Sequence, residues 1–471
     1  MKLKKLVPAA MLTFLLASGL TACGNNNNDE NTLNIVCIDA GYGEEWINEI
    51  ANKFQQSHEG VKVNVTALYE SESLISQHLS SKNNNDDLYI SVGSNWKYNA
   101  ASGMFAELDD LLEDTIDGVK VKDKVSDEYK NSIYFTKSNG DKKCYRLPFV
   151  SAIGGIFYNT KMFEDNGWQI PTTYQELVQL CQTINSAKVV VAGDPDGTTT
   201  VKPFIYTGTN TDYFDYTVFD WWGQLVGKDN IQEFLKYESA DNFDVTKNET
   251  YNALKTATSK WQNLFDSKNS FYVPDTNNMS AGTAQKQFIN GYAAMMFNGD
   301  WLYNESLRYT NGGTFDSTFK LGLMKTPVLE EAKAEYANTS YIIGEDQYIA
   351  IPKTSKRQTL AKEFIKAIIS NDGCQTFTEK AHAFLAYNSD IKTTQDEFLN
   401  SVLDLKGQYT TKFTNYSSNR KYLCNYIDIW ATGSNRPFSS LLSGVSTLDS
   451  AFNNIASTVK ANWAEWSKKS S

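Results

Sequence analysis

Residues 33–67, LNIVCIDAGYGEEWINEIANKFQQSHEGVKVNVTA, carry two different hydrophobic periods in one stretch. Leu33 to Ile38 is a short apolar run suited to a buried strand. From Glu44 to Ser57, Trp46, Ile47, Ile50, Ala51 and Phe54 fall on one helical face, and Gly60 offers a stop. Val61, Val63, Val65 and Ala67 then alternate with polar residues, the period of a strand. This is β-α-β, and such crossovers build parallel sheets.

The same alternation continues along the chain. Asp87 to Val92 reads as a strand and Phe105 to Ile116 as an acidic helix. Ile153 to Tyr158 reads as a strand, and the capping box Thr173-x-x-Glu176 starts a helix to about Ser186. Gly193-Asp194-Pro195-Asp196-Gly197 is a turn. Its carboxylates invite calcium, but its glycine is misplaced for an EF-hand loop and Ile205 stands where the closing Glu belongs. Ala281 to Asn290 predicts a helix and Tyr292 to Phe297 a strand, with Asn298-Gly299-Asp300 turning into Trp301. Tyr348 to Ile351 is a strand closed by Pro352, and Leu360 to Ile369 a helix. Val445, Leu448, Phe452, Ile455, Val459, Trp463 and Trp466 recur at helical spacing as a packing stripe. The fold class is α/β.

The chain has 471 residues, enough for roughly three folding units or two large lobes at about 150 residues each. At 41% hydrophobic and 21% charged, it is not a disordered chain. Its net charge is −11, and loss of Lys2, Lys4 and Lys5 with a leader takes it to −14. That field repels polyanions, and no Lys/Arg run offsets it, so nucleic acid is excluded as a partner. The three lysines precede an apolar stretch, Leu6 to Leu20, of roughly 15 residues, too short to span a membrane and right for a secretory leader. It ends in Leu20-Thr21-Ala22-Cys23, which resembles the lipobox of bacterial lipoproteins, where the Cys receives a diacylglycerol. Residues 1–22 are thus expected as a signal peptide, with Cys23 lipidated. Residues 23–31, with Asn25 to Asn28, form a tether. Cys37, Cys144, Cys181, Cys374 and Cys424 are widely spaced without any C-x-x-C and are expected mostly as buried thiols; no metal or cofactor is implied.

Four stretches, in order, resemble the extracellular solute-binding proteins of carbohydrate ABC importers, the maltose-binding-protein-like class. They are Gly41-Tyr42-Gly43-Glu44-Glu45-Trp46 with Phe54, His58 and Gly60-Val61-x-Val63; Leu147-Pro148-Phe149 with Tyr158-Asn159-Thr160-Lys161-Met162-Phe163, Gly167 and Pro171-Thr172-Thr173-Tyr174-x-Glu176-Leu177; Gly291-Tyr292-Ala293-Ala294-Met295 with Gly299-Asp300-Trp301; and Ile349-x-Ile351-Pro352 with Ala361-Lys362-x-Phe364-Ile365. Departures exist. Asp86-Asp87-Leu88-Tyr89-Ile90 lacks the proline of many relatives, and Ser151 and Ala152 occupy the zone where the maltose binder has an acid, so maltose is not implied. The resemblance implies a two-lobe periplasmic-binding-protein-like fold, each lobe a sheet flanked by helices, joined by a hinge. Lobe one would take 32–146 and 335–387, and lobe two 147–334 and 388–471. It also implies an extracellular, lipid-anchored, monomeric receptor that hands a carbohydrate to ABC permease subunits, with the ATPase on separate subunits.

A sugar offers apolar C–H faces and rim hydroxyls, so its site wants flat aromatics and planar polar groups. By resemblance, Trp301 beside Asp300 is a stacking aromatic, weighed against core packing. Trp221 and Trp222 are adjacent and cannot share a face, so one at most reaches a cleft. Tyr42 lies in the first strand-to-helix loop, with Glu44 and Glu45 as hydroxyl acceptors or simply as favourable charge at a helix N-terminus. Asn95 and Trp96 follow a strand end, and Trp430 and Arg436 flank a late loop, Arg436 as a fork on two hydroxyls or a surface ion pair. No G-x-x-x-x-G-K-[ST], G-x-S-x-G or H-E-x-x-H is present. A glycoside hydrolase leaves no sequence motif for its two carboxylates and stays open as an alternative, as does a glycan-binding lipoprotein uncoupled from transport.

Overall fold

A computed structural model describes residues 30–469 apart from residues 94, 138, 345, 392–393, 416–426 and 432–435. The expected leader, Cys23 and Cys424 lie outside the described residues.

Two sheets organise the chain. Their strands are β1 (Thr32–Ile38), β2 (Lys62–Leu68), β3 (Leu88–Val92), β4 (Leu147–Pro148), β5 (Ala152–Asn159), β6 (Lys202–Ile205), β7 (Ala293–Gly299), β8 (Leu321–Met324), β9 (Thr339–Ile343), β10 (Gln347–Ala350) and β11 (Thr411–Phe413). The first sheet runs β2-β1-β3-β10-β4; the second runs β6-β7-β5-β9-β11, with β8 also on β5. The apolar run from Leu33 pairs in parallel with β2, Leu33 opposite Val63, and with β3, Val36 opposite Tyr89. β10 enters antiparallel, between β3 and β4.

The helices that matter here are α1 (Glu45–Ser57), α2 (Tyr174–Ala187), α3 (Asp215–Val226), α4 (Leu302–Leu307), α5 (Gln358–Ile369), α6 (Asn371–Ala381), α7 (Glu397–Gln408) and α8 (Leu448–Lys469). In α1 the buried residues are Trp46, Ile47, Ile50, Ala51 and Phe54, the face its spacing requires, and it packs on α5 and α6. The Thr173–Glu176 capping box closes reciprocally at the start of α2. In α8 Phe452, Ile455 and Val459 are buried and Trp463 and Trp466 pack partly buried against the main core. Val445 stands outside this stripe, exposed before the helix begins.

One sequence expectation changes and one holds. The acidic helix is confined to Asp109–Glu113, because Phe105 bridges to Pro352 and the Ala106 N–H donates to the Ile351 carbonyl, holding that stretch extended. Asp194 makes a closed turn: its Oδ2 accepts from the N–H groups of Thr198 and Thr199 at 2.8 and 2.7 Å.

Among the described residues the chain passes between the sheets three times. Phe149 to Ser151 lead from β4 into β5, and the chain returns from β9, which ends at Ile343, to β10, which begins at Gln347. The second passage comes later than the expected boundary at 335, because Thr339–Ile343 is itself a strand of the second sheet, paired with β5. The third passage follows α6 and runs antiparallel to the first: Val150 bridges Leu385, Ser151 N–H donates to Phe384 O, and Ala386 N–H donates to Phe149 O. Lys406 on α7 clamps this hinge, donating to Ser151 O at 2.9 Å and to its Oγ at 2.8 Å. Gly344 has φ +121°, and a Cβ there would lie 2.6 Å from the Val150 carbonyl oxygen, so only glycine suits the second passage.

Cys37, Cys144, Cys181 and Cys374 are buried and unpaired, and burial pushes the Cys144 and Cys374 thiols up to about 12. Among the described residues no helix is long and apolar enough to cross a membrane.

Candidate functional site

The carboxyl ends of β1, β2 and β3 in the first lobe face the loops after β7 and before α3 in the second. Open α/β sheets hold ligands in a crevice of this kind. On the first side, β1 gives way to Asp39-Ala40-Gly41-Tyr42. Tyr42 is 5% exposed, its ring set edge-on to Phe149 at 5.6 Å and tilted to Phe377 at 5.7 Å, with its hydroxyl 3.4 Å from Gln347 Nε2. Burial, with Asp300 nearby, raises its phenol well above the usual range. Glu44 and Glu45 are exposed at the start of α1. Asn95 is exposed at the start of the short helix Trp96–Ala101, whereas Trp96 is buried under the Arg146 guanidinium, 4.4 Å from its ring.

On the second side, β7 ends at Gly299. Asp300 is buried, its Oδ2 accepting from the Ile153 N–H at 3.2 Å; burial pushes its carboxyl up to about 6, with Lys406 pulling the other way. Trp301 is 9% exposed, and its ring covers Gly299 so closely that a Cβ could not be accommodated there. Two tyrosines complete an aromatic platform. Tyr216 stands at 90° to Trp301 with centroids 5.8 Å apart, Tyr213 lies 5.9 Å from Trp301, and the two tyrosines stack at 5.7 Å and 28°. Tyr216 lies over Gly154 of β5, again leaving no room for a Cβ.

A charged cluster sits at the start of α3. Asp215 accepts from Trp430 Nε1 at 3.1 Å and from Arg436 Nε at 2.5 Å. Asp428 accepts from the Trp430 N–H at 2.8 Å. Burial pushes Asp215 up to about 6 and Asp428 up to about 7, in both cases against the pull of Arg436. Lys97 of the first lobe exerts a smaller downward pull on Asp428, which places the cluster opposite the Trp96–Ala101 helix. The Arg436 side chain remains 26% exposed.

The sequence-derived candidates thus fall into two groups. Tyr42, Asp300, Trp301 and Arg436 stand around the junction of the lobes, and Glu45 and Asn95 are exposed. Trp221, Trp96 and Trp430 are buried in cores: Trp221 Nε1 donates to Pro327 O at 2.9 Å and its ring meets Tyr174, while Trp430 stacks on Phe219. Trp222 is buried likewise, donating to Thr250 O. Tyr213, Tyr216, Asp215 and Asp428 were not anticipated. Tyr213 and Tyr216 sit three residues apart, a spacing that in sequence reads only as helix packing.

The comparisons agree with this architecture. Residues 40–373 match the family model described as bacterial extracellular solute-binding protein, and the chain belongs to that family. It is 21% identical over 350 residues to the diacetylchitobiose binding protein NgcE of Streptomyces coelicolor, covering 74% of this chain and 68% of that protein. Among solved structures it resembles the GacH receptor of Streptomyces glaucescens, described unliganded and with acarbose (TM-score 0.66, 17% identity, 91% of this chain and 97% of that one). It also resembles a chitin oligosaccharide binding protein (TM-score 0.65, 14% identity, 90% and 98%). These neighbours share the two-lobe fold.

Proposed function

We propose that this chain is the substrate-binding lipoprotein of an ABC importer, capturing a sugar or oligosaccharide between its lobes and delivering it to the membrane permease. The observation that carries this reading is the platform of Trp301, Tyr213 and Tyr216, set at the strand ends of one lobe against Gly41 and Tyr42 of the other. Such rings meet the C–H faces of a pyranose, and Arg436 and the loop polar groups suit its hydroxyls. The ligands named for the relatives, diacetylchitobiose, acarbose and chitin oligosaccharide, are all carbohydrates and support the same class. Lobe one would hold 32–148 with 347–387, and lobe two the intervening and following segments. Cys23 would carry the lipid that keeps the monomeric receptor at the outer face of the membrane.

Closure follows from differential contact. A ligand touched by both lobes favours the closed state by the contacts that only that state makes. The chain would act as a binder and not an enzyme, as its relatives named for binding sugars suggest; of the two buried acids that flank the platform, Asp215 has both oxygens engaged by protein donors and Asp300 one.

The test is a thermal-shift and calorimetric screen of the chain from Asn25 onward against raffinose and chito-, malto- and xylo-oligosaccharides, with product analysis. The expected result is a melting temperature that climbs with sugar concentration by mass action, intact sugar, and no shift in Trp301→Ala. Cleaved sugar would replace this reading with a hydrolase, and silence toward every sugar would sink the carbohydrate assignment.

A further inference from the structure

The two lobes are joined across the cleft by direct hydrogen bonds. Asn304 Nδ2, on α4 of the second lobe, donates to the Gly41 carbonyl at 3.0 Å. One turn on, Arg308 Nη2 donates to the Asp39 carbonyl at 2.8 Å. Between them, the buried Glu305 carboxylate accepts from Gln285 Nε2 at 2.6 Å, and the nearby Gly41 N–H favours its charged form. The loop after β1 is therefore held by its main chain on both sides of Gly41. Gly41 itself has φ +79°, and a Cβ there would lie 3.1 Å from Trp301 Cβ, so the glycine lets the aromatic platform come up against the opposite loop. Tyr42, Tyr216 and Trp301 are all buried where the lobes meet, as in a closed cleft.

We propose that Asn304 and Arg308 are positioning residues: α4 carries a latch that closes the lobes by gripping main-chain carbonyls of the β1–α1 loop, and it sets the affinity of the cleft without touching the ligand. This rests on the reading of the cleft as the ligand site. Because its acceptors are backbone groups, the latch is indifferent to ligand identity. It adds the same increment for every sugar by raising the fraction of the chain in the competent state. Hydrogen bonds from a charged donor are the stronger kind, so Arg308 carries more of the effect than Asn304.

The experiment uses the chain from Asn25 onward, wild type, Asn304→Ala/Arg308→Ala and Arg308→Lys. Small-angle scattering without ligand reads the open–closed balance, and stopped-flow with calorimetry reads release and Kd. The double variant is expected to show a larger radius of gyration without ligand and a Kd raised roughly ten- to thirtyfold for every sugar bound, through faster release. Arg308→Lys is expected between the two. A raised Kd with unchanged scattering would overturn the proposal, since the side chains would then be ligand contacts. Expanded scattering with unchanged Kd would overturn it too, as would no change in either. If the wild type binds no sugar at all, the functional reading fails while the scattering arm still decides whether the latch exists. Arg308 is exposed and Asn304 half-buried, and a circular-dichroism melt checks that both variants remain folded.

Discussion

Arg436 donates from Nε to Asp215 Oδ2 at 2.5 Å, and the other oxygen of the same carboxylate takes the indole N–H of Trp430. One acid at the first turn of α3 thereby fixes two residues of a segment far along the chain.

Removing that acid leaves a largely buried guanidinium and a buried indole N–H without their acceptor. Asp215→Ala is expected to cost about 3 kcal/mol of stability, the scale of breaking a buried ion pair from one side. Urea unfolding of variant and wild type measures it, and Asp215→Asn should lose less by keeping one acceptor. A difference below about 1 kcal/mol would mean that the pair is peripheral to the fold.

Burial raises the carboxyls of Asp215 and Asp300 to about 6 and of Asp220 and Asp428 to about 7. Each binds its proton more tightly folded than unfolded. Between the ordinary carboxylate value near 4 and about 7 the folded chain holds more protons, so stability falls as pH rises through that window and is flat above it. Glu113, held at about 2 by Lys120 and Lys122, acts in the opposite sense and loses its contribution only as pH falls toward 2. The melting temperature is therefore expected to be higher at pH 5 than at pH 7.5. Asp428→Asn, which removes one of these raised carboxyls, should narrow that gap; a gap of the opposite sign would refute the assignment.

Gly154→Ala tests the platform without deleting an aromatic. The new methyl occupies the space of the Tyr216 ring, which must move. Overpacking of this kind costs about 1–3 kcal/mol of stability. Sugar affinity is expected to fall about tenfold, equivalent to roughly 1.4 kcal/mol, with calorimetry as the measure. Unchanged affinity would remove Tyr216 from the ligand wall.

Gly344→Ala strains the second passage between sheets, through its φ of +121° and the Val150 carbonyl 2.6 Å from the added atom. A loss of about 2 kcal/mol is expected by urea unfolding. Stopped-flow ligand binding should slow as well, because the passage carries the lobe rotation.

The sheets were legible because their period is local. The run from Leu33 and the face of α1 each need only their own neighbours to be recognised, and the Thr173–Glu176 capping box names its own helix start. The Phe105–Ile116 segment departs from its local pattern because Ile351 and Pro352, just past β10, capture Phe105 and Ala106, an effect that no local window contains. Trp221 and Trp430 carry the residue type that a sugar site wants, yet each finds a buried acceptor for its indole N–H, and burial is a property of the fold. Asn304 and Arg308 were invisible for a different reason: their partners are carbonyl groups, which every residue possesses.

β10 lies between β3 and β4 in the first sheet, although more than two hundred residues separate it from the strand beside it. If the expected leader delivers the chain across the membrane from its N-terminus, β1, β2 and β3 emerge while β10 is still inside the cell. The exposed edge of β3 must wait unpaired until residues 347–350 arrive. On that route completion of the first lobe falls to the late stages of export, and chains truncated before residue 347 are expected to remain protease-sensitive throughout that lobe.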